Sequence, residues 1–327
     1  MQHAARALRR AAFILPALLA PAAPCAAATD YPVKPIRMVV PYAPGGPVDI
    51  VARTVGQKLG DALGGTVVID NRAGANGNIG GEIVVRSAPD GYTLLMGANG
   101  NIAINPSLYP HMTFDPLRDL APVALIASSA LLLVIHPSLP AASVRELIEL
   151  AKHRAGAINV ASAGNGSTAH LAAELFKTMA GIDITHIPYK GAGPALADVA
   201  AGQAQATITG VSGALPFVKS GKIRALGVTG PRRIALLPEV PTIAETLPGY
   251  EVETWYGVFA PAATPRTIVL TLNQSLAVIL ASADARERMA SLGAEIATGT
   301  PEQFGHAVRV EKDKWAKVVK QAGLRLD

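Results

Sequence analysis

Cysteine is almost missing. The one cysteine among 327 residues is Cys25. It lies in a stretch that reads as a removable leader, so neither a disulfide nor thiol chemistry is expected of the mature chain. Pro24 and Ala22 around it match a lipid-anchor signal poorly. Aromatic residues are 5% of the chain, too few for base-stacking platforms, and nucleic acid is excluded as a partner. There is no apolar run long enough to span a bilayer beyond the leader, and even that run is short and broken by Pro16 and Pro21. Histidines are scattered, with no H-E-x-x-H and no His/Cys/acid set spaced for a metal. No G-x-S-x-G elbow, Walker Lys-Ser/Thr pair or strand-to-helix G-x-G-x-x-G occurs. The expectation is therefore no catalytic residue, no metal, no cofactor and no enzyme.

What is present begins with an export signal. Arg6, Arg9 and Arg10 precede the apolar residues 11–23, and Ala26, Ala27 and Ala28 precede the polar Thr29-Asp30, which places cleavage near Ala28. The spacing from Arg9-Arg10 to Phe13 is loose for a twin-arginine signal, so the ordinary secretion route and a periplasmic location are expected. Removing residues 1–28 takes three arginines and no acid, so 29 basic against 24 acidic residues become 26 against 24. Much of the apparent basicity belongs to the leader. With 50% hydrophobic and 16% charged residues, the remainder can bury a large core.

Short Val/Ile-rich runs at 36–40, 66–69, 92–96, 157–161, 184–187, 204–209 and 223–228 alternate with helical patterns such as Val51, Val55 and Leu59. That alternation predicts α/β architecture with largely parallel sheets. Helix starts are marked by Ser143 with Glu146, Thr300 with Gln303, and Thr264-Pro265. Two apolar runs, 120–137 and 250–265, are too long for ordinary strands and read as crossings between two α/β domains. The division is residues 1–28 as signal, 30–125 plus 252–327 as the first lobe, and 126–251 as the second. Trp255 in the second crossing reads as core or hinge packing, with fluorescence expected to respond to ligand.

The joints between strands and helices carry the chemistry. In "VVPYAPGGPVDIVAR" a strand passes through Tyr42, Ala43, Pro44, Gly45, Gly46 and Pro47 into a helix. Such a joint points unpaired backbone N–H groups past the strand end and attracts anions. The prolines stiffen it and the glycines let backbone approach closely. Asp49 reads as a helix N-cap or first-turn acid rather than a ligand contact, since it would repel an anion. A second joint is Ser162-Ala163-Gly164-Asn165-Gly166-Ser167-Thr168, and a third ends a strand at Gly97 and adds Asn99 and Asn101. The pentapeptide GANGN occurs at 74–78 and again at 97–101, which reads as shared turn composition. Ligands of open α/β sheets bind outside the carboxyl ends of the strands. His170, three residues after Ser167, reads as a polar or capping residue rather than a general base. Lys190 reads as a solvated turn residue.

The segments "YPVKPIRMVVPYAPGGPVDIVAR", "VIDNRAGANGNIG", "SAPDGYTLLMG", "ASAGNGSTAHLAAELF", "HIPYKGAGPALADVAAGQ", "GKIRALGVTGPRRIALLPEVPTIAET" and "WYGVFAPAATP" together resemble the substrate-binding proteins of tripartite tricarboxylate transporters, the Bug or TctC family. The resemblance runs through the whole mature chain. It implies a two-lobed periplasmic-binding-protein-like (flytrap) fold, two α/β domains joined by two crossing strands. It implies a monomer that captures a small carboxylate and hands it to a membrane permease of large and small subunits. A sensing partner of a two-component histidine kinase is the alternative. Carried over residue by residue, it places ligand contacts on 42–49 with Asn99, on 162–168, and on Thr209 as a flank. The family's first loop often has Ser or Thr just before the Asp; Pro47-Val48 stands there in this chain, which implies a more apolar pocket.

Overall fold

The computed structural model describes residues 31–189 and 191–326; the leader, Cys25 and Lys190 lie outside them. Ten strands form one sheet: β1 (Ile36–Val40), β2 (Val67–Asn71), β3 (Thr93–Ala98), β4 (Leu120–Ile135), β5 (Asn159–Ser162), β6 (Thr185–Pro188), β7 (Ala206–Gly210), β8 (Arg224–Val228), β9 (Glu253–Pro261) and β10 (Glu295–Ile296). The order is β2-β1-β3-β9-β4-β7-β5-β6, with β8 and β10 also paired to β4. The outer strands run parallel, β1 with β2 and β3, and β5 with β6 and β7. The middle is antiparallel, because β9 pairs with both β3 and β4. The helices are α1 (Pro47–Ala62), α2 (Asn78–Val85), α3 (Asn105–Leu108), α4 (Pro116–Asp119), α5 (Val144–His153), α6 (Thr168–Ala180), α7 (Ala192–Ala200), α8 (Val211–Lys219), α9 (Arg266–Leu280), α10 (Ala283–Ser291) and α11 (Pro301–Gln321).

The 16-residue β4 resolves the first long apolar run. Its residues 120–130 pair with β9 and its residues 131–135 with β7 and β8. Because side chains alternate along a strand, Leu133 and Ile135 enter a core with Leu147, Phe176 and Ile184 on one face. Leu132 and Val134 enter another with Leu196 and Val199 on the opposite face. A strand covered on both sides has no polar face to show, which is why the sequence reads as one unbroken apolar stretch.

Sequence signals for helix starts succeed where the side chain is free to fold back. Thr300 accepts from Gln303 N–H while Gln303 accepts from Thr300 N–H. Ser143 accepts from Glu146 N–H at 3.2 Å. Thr264 is the exception: Pro265 occupies the N-cap of α9 without a side-chain cap. The Thr264 hydroxyl is instead buried without a protein partner.

Gly257 sits mid-strand in β9, where a Cβ would land on the Phe304 ring and 3.2 Å from Ala124 O. Phe304 needs that gap to pack at a tilt against Phe259 at 4.9 Å and edge-to-face against Trp255 at 5.5 Å. Gly257→Val is expected to cost about 2–3 kcal/mol by overpacking, read as a lower urea midpoint; an unchanged midpoint would show that Phe304 can move aside.

Candidate functional site

The carboxyl ends of β1, β3, β5 and β7 open onto a cavity of about 260 Å³. The β1–α1 joint contributes Tyr42, Pro47 and Val48; the end of β3 contributes Ala98, Asn99 and Gly100. The β5–α6 joint contributes Ala163, Gly166, Ser167, Thr168 and Ala169, Ala192 and Ser212 come from the first turns of α7 and α8, and Thr209 and Gly210 from the end of β7. Ser129 and Leu131 of β4, Thr254 and Tyr256 of β9, Asn76 and Leu292 complete the wall.

Tyr42, Pro47, Asn99, Ala163, Ser167, Thr168 and Thr209, all named from sequence, are thus brought together. Ala43, Pro44, Gly45, Gly46, Asp49, Ser162, Gly164 and Asn165 do not line the cavity; they shape the joints behind it. Asp49 is buried and accepts from Gly45 N–H (2.9 Å), Arg53 Nε (2.9 Å) and Asn71 Nδ2 (2.9 Å). Burial alone would raise its carboxyl, but the bonds from Arg53, Gly45 and Asn71 outweigh it and hold the group below the ordinary carboxylate range. The acid is a first-turn residue of α1 tying the loop, and Gly46 is the N-cap.

Several amides expected to face a ligand are therefore already occupied. Gly45 N–H goes to Asp49, Gly164 N–H to Ser162 Oγ (3.1 Å) and Gly166 N–H to His170 Nδ1 (3.1 Å). The donors that remain belong to helix first turns, which have no acceptor within their own helix. Four such turns reach the cavity, at Val48, at Thr168 and Ala169, at Ala192, and at Ser212. Three of those helices, α1, α7 and α8, begin without a side-chain cap. In α6 the Ser167 hydroxyl accepts only from His170 N–H.

The cavity wall carries no lysine, arginine, histidine or carboxylate among the described residues. Its polar side chains are neutral hydroxyls and amides. Burial pushes the Tyr256 phenol up to about 12 and moves Tyr42 higher still, so both keep their protons. Asn99 donates one N–H to Glu253 O at 3.1 Å, which anchors it to β9. The arrangement can solvate a negative charge with oriented dipoles while offering no counter-charge.

Asn76 was missed by the sequence reading, and a signal for it existed. It is the third residue of the first GANGN, as Asn99 is of the second, and both line the cavity. Asn76 has φ of 50°, uncommon outside glycine. It is pinned there by Nδ2 donating to Asn105 Oδ1 at 2.8 Å and by its carbonyl accepting from Asn105 Nδ2 at 3.0 Å. Thr254 and Tyr256 follow from the period of β9: they face the cavity, while Trp255 between them packs against Phe304 on the other face.

A sheet with parallel flanks, an antiparallel centre and a ligand-sized cavity at its helix N-termini is that of a periplasmic-type binding protein. The chain belongs to TctC, the tripartite tricarboxylate transporter family receptor, which residues 51–324 match. Among its relatives is BugT of Bordetella pertussis, 39% identical over 307 residues, covering 93% of this chain and 94% of BugT. An R. palustris protein solved with adipate is 40% identical with a TM-score of 0.81, covering 90% of this chain and 99% of that one. MatC from Rhodopseudomonas palustris, solved with bound malate, is 33% identical with a TM-score of 0.77, covering 88% and 100%.

Proposed function

We propose that the protein is an exported solute-binding protein that takes one small carboxylate into this cavity and delivers it to a tripartite tricarboxylate-type permease. The observation that carries the reading is the convergence of four helix first turns on a cavity wall without a charged side chain among the described residues. Each such N-terminus contributes about 0.3–1 kcal/mol toward an anion when exposed, and more where water is excluded. Lysine or arginine would bind more strongly but would also demand a fixed partner geometry. Neutral donors with bridging water accommodate acids of different length on one anchor. The adipate and malate of the two R. palustris neighbours fit that chemistry.

The two lobes are residues 30–125 with 252–327, and 126–251. They close on the ligand as a monomer, with Tyr42, Pro47, Val48, Asn76 and Asn99 on one side and Ala163, Ser167, Thr168, Thr209 and Ser212 on the other. A ligand that binds only the folded chain stabilises it by about 2.7 kcal/mol at a hundredfold excess over Kd. Adipate, malate and citrate are therefore to be compared by thermal shift, with a rise of about 5 °C expected for a cognate acid. A broad carboxylate panel that leaves the melting temperature unmoved would refute the reading.

A further inference from the structure

Behind the cavity wall two imidazoles lie face to face. His170 in the first turn of α6 and His186 in β6 stack with ring centroids 3.7 Å apart and planes 9° apart. Each ring holds a different point of the 162–168 loop. Gly166 N–H donates to His170 Nδ1 at 3.1 Å. His186 Nε2 lies 2.6 Å from Ser162 Oγ, which accepts from Gly164 N–H at 3.1 Å. Gly166 itself has φ of +72°, and a Cβ on it would come within 2.8 Å of Leu108 Cδ1 and 2.7 Å of Leu326 Cδ1. The loop has no room for a side chain of its own at that point.

Resting on the reading of the cavity as a carboxylate site, we propose that His170, backed by His186, is a positioning residue for the ligand. Its neutral ring fixes Gly166 so that the free amides of Thr168 and Ala169 face the cavity, and protonation of the ring releases them. The hydrogen bond requires a lone pair on Nδ1, hence the proton on Nε2. A second proton would set a donor against Gly166 N–H and a positive charge against the neighbouring ring.

The surroundings favour the neutral form. Burial, and then His186, lower His170 to about 4, and burial lowers His186 as well. Glu174, on the same helix, has Oε1 3.8 Å from His170 Nε2 and is the one acid facing the ring among the described residues. Its own carboxyl is raised by burial, with Lys177 opposing and Asp183 adding to the rise. At Gly166 the nearest side chains, Leu108 of α3 and Leu326 beyond α11, are apolar. A histidine whose value is depressed by burial and by a neighbouring ring stabilises the folded arrangement fully above its ordinary value near 6.5. The contribution is lost as pH falls from there toward about 4.

The test titrates adipate into the full chain by calorimetry between pH 7.5 and 4 and compares wild type with His170→Asn and His170→Leu. Asn Oδ1 can accept Gly166 N–H but does not titrate in this range, and adipate's own protonation is common to all three proteins. His170→Asn is expected to bind within about threefold of wild type at pH 7.5, and that ratio is expected to move about twofold in the variant's favour at pH 4, where about half the wild-type rings carry the second proton. His170→Leu leaves a buried N–H unpaired and is expected to lose about tenfold at pH 7.5. Ring-nitrogen NMR of the ligand-free protein supplies a readout independent of binding, with His170 Nδ1 unprotonated at pH 7.5. Parallel pH profiles for wild type and His170→Asn, or a protonated Nδ1, would overturn the proposal. If wild type binds neither adipate nor any other small acid while Nδ1 is unprotonated as expected, the carboxylate reading is what fails, and the ligand role of the loop falls with it.

Discussion

Thr168→Asp is expected to abolish carboxylate binding without lowering the melting temperature. Thr168 is the first residue of α6 and lines the cavity. An acid in a helix first turn is locally favourable by about 0.3–1 kcal/mol, so the fold should be held or slightly stabilised. The same carboxylate would occupy the amides a ligand needs and face it with like charge. Two unit charges about 5 Å apart at an effective dielectric of about 20 repel by about 3 kcal/mol, roughly a hundredfold or more in affinity. Thr168→Asn, similar in size and uncharged, should retain most of the binding. Calorimetry beside a melting curve separates the effects: an Asp variant that binds adipate as wild type does would show that the α6 amides are not the anchor.

The second large effect concerns the scaffold. Trp315 in α11 is fully buried, and its Nε1 donates to Glu311 Oε2 at 2.7 Å. It belongs to the core that also holds Trp255, Phe259 and Phe304. Trp315→Ala removes a fully buried indole and leaves a cavity, for which about 3–5 kcal/mol is the usual cost. That is a large share of the 5–15 kcal/mol by which domains are stable. Urea unfolding should show the midpoint fall with little change in slope; a loss below about 1 kcal/mol would mean that α11 is peripheral to the fold.

The seven short strands expected from sequence all occur, within a residue or two at their ends, because each is a short, mostly apolar or β-branched run bounded by turn residues. The 120–137 run was recognisable as too long for one ordinary strand, and the structure shows why: β4 serves two sets of partners. The two joint loops were visible from their glycines and prolines. Less visible was which joint residues face the cavity. Asp49, Gly45, Gly164 and Gly166 spend their polar groups on one another and on Arg53, Asn71, Ser162 and His170, a matter of side-chain direction that spacing does not carry. Leu292 was out of reach for a different reason. It arrives from the turn after α10, eighty residues or more from the joints with which it shares the cavity, and nothing in its neighbourhood marks it. Ser129 is tied to that turn by its hydroxyl donating to Gly293 O at 2.8 Å, a contact only the tertiary structure creates.

The position of β9 between β3 and β4 has a consequence for biogenesis. The gap between those two strands cannot be filled until residues 253–261 have been made, with some two hundred residues of sequence already waiting for them. Pairings so distant along the chain form slowly. A growing polypeptide therefore stays unsealed until its final quarter emerges, which leaves it threadable for most of its synthesis.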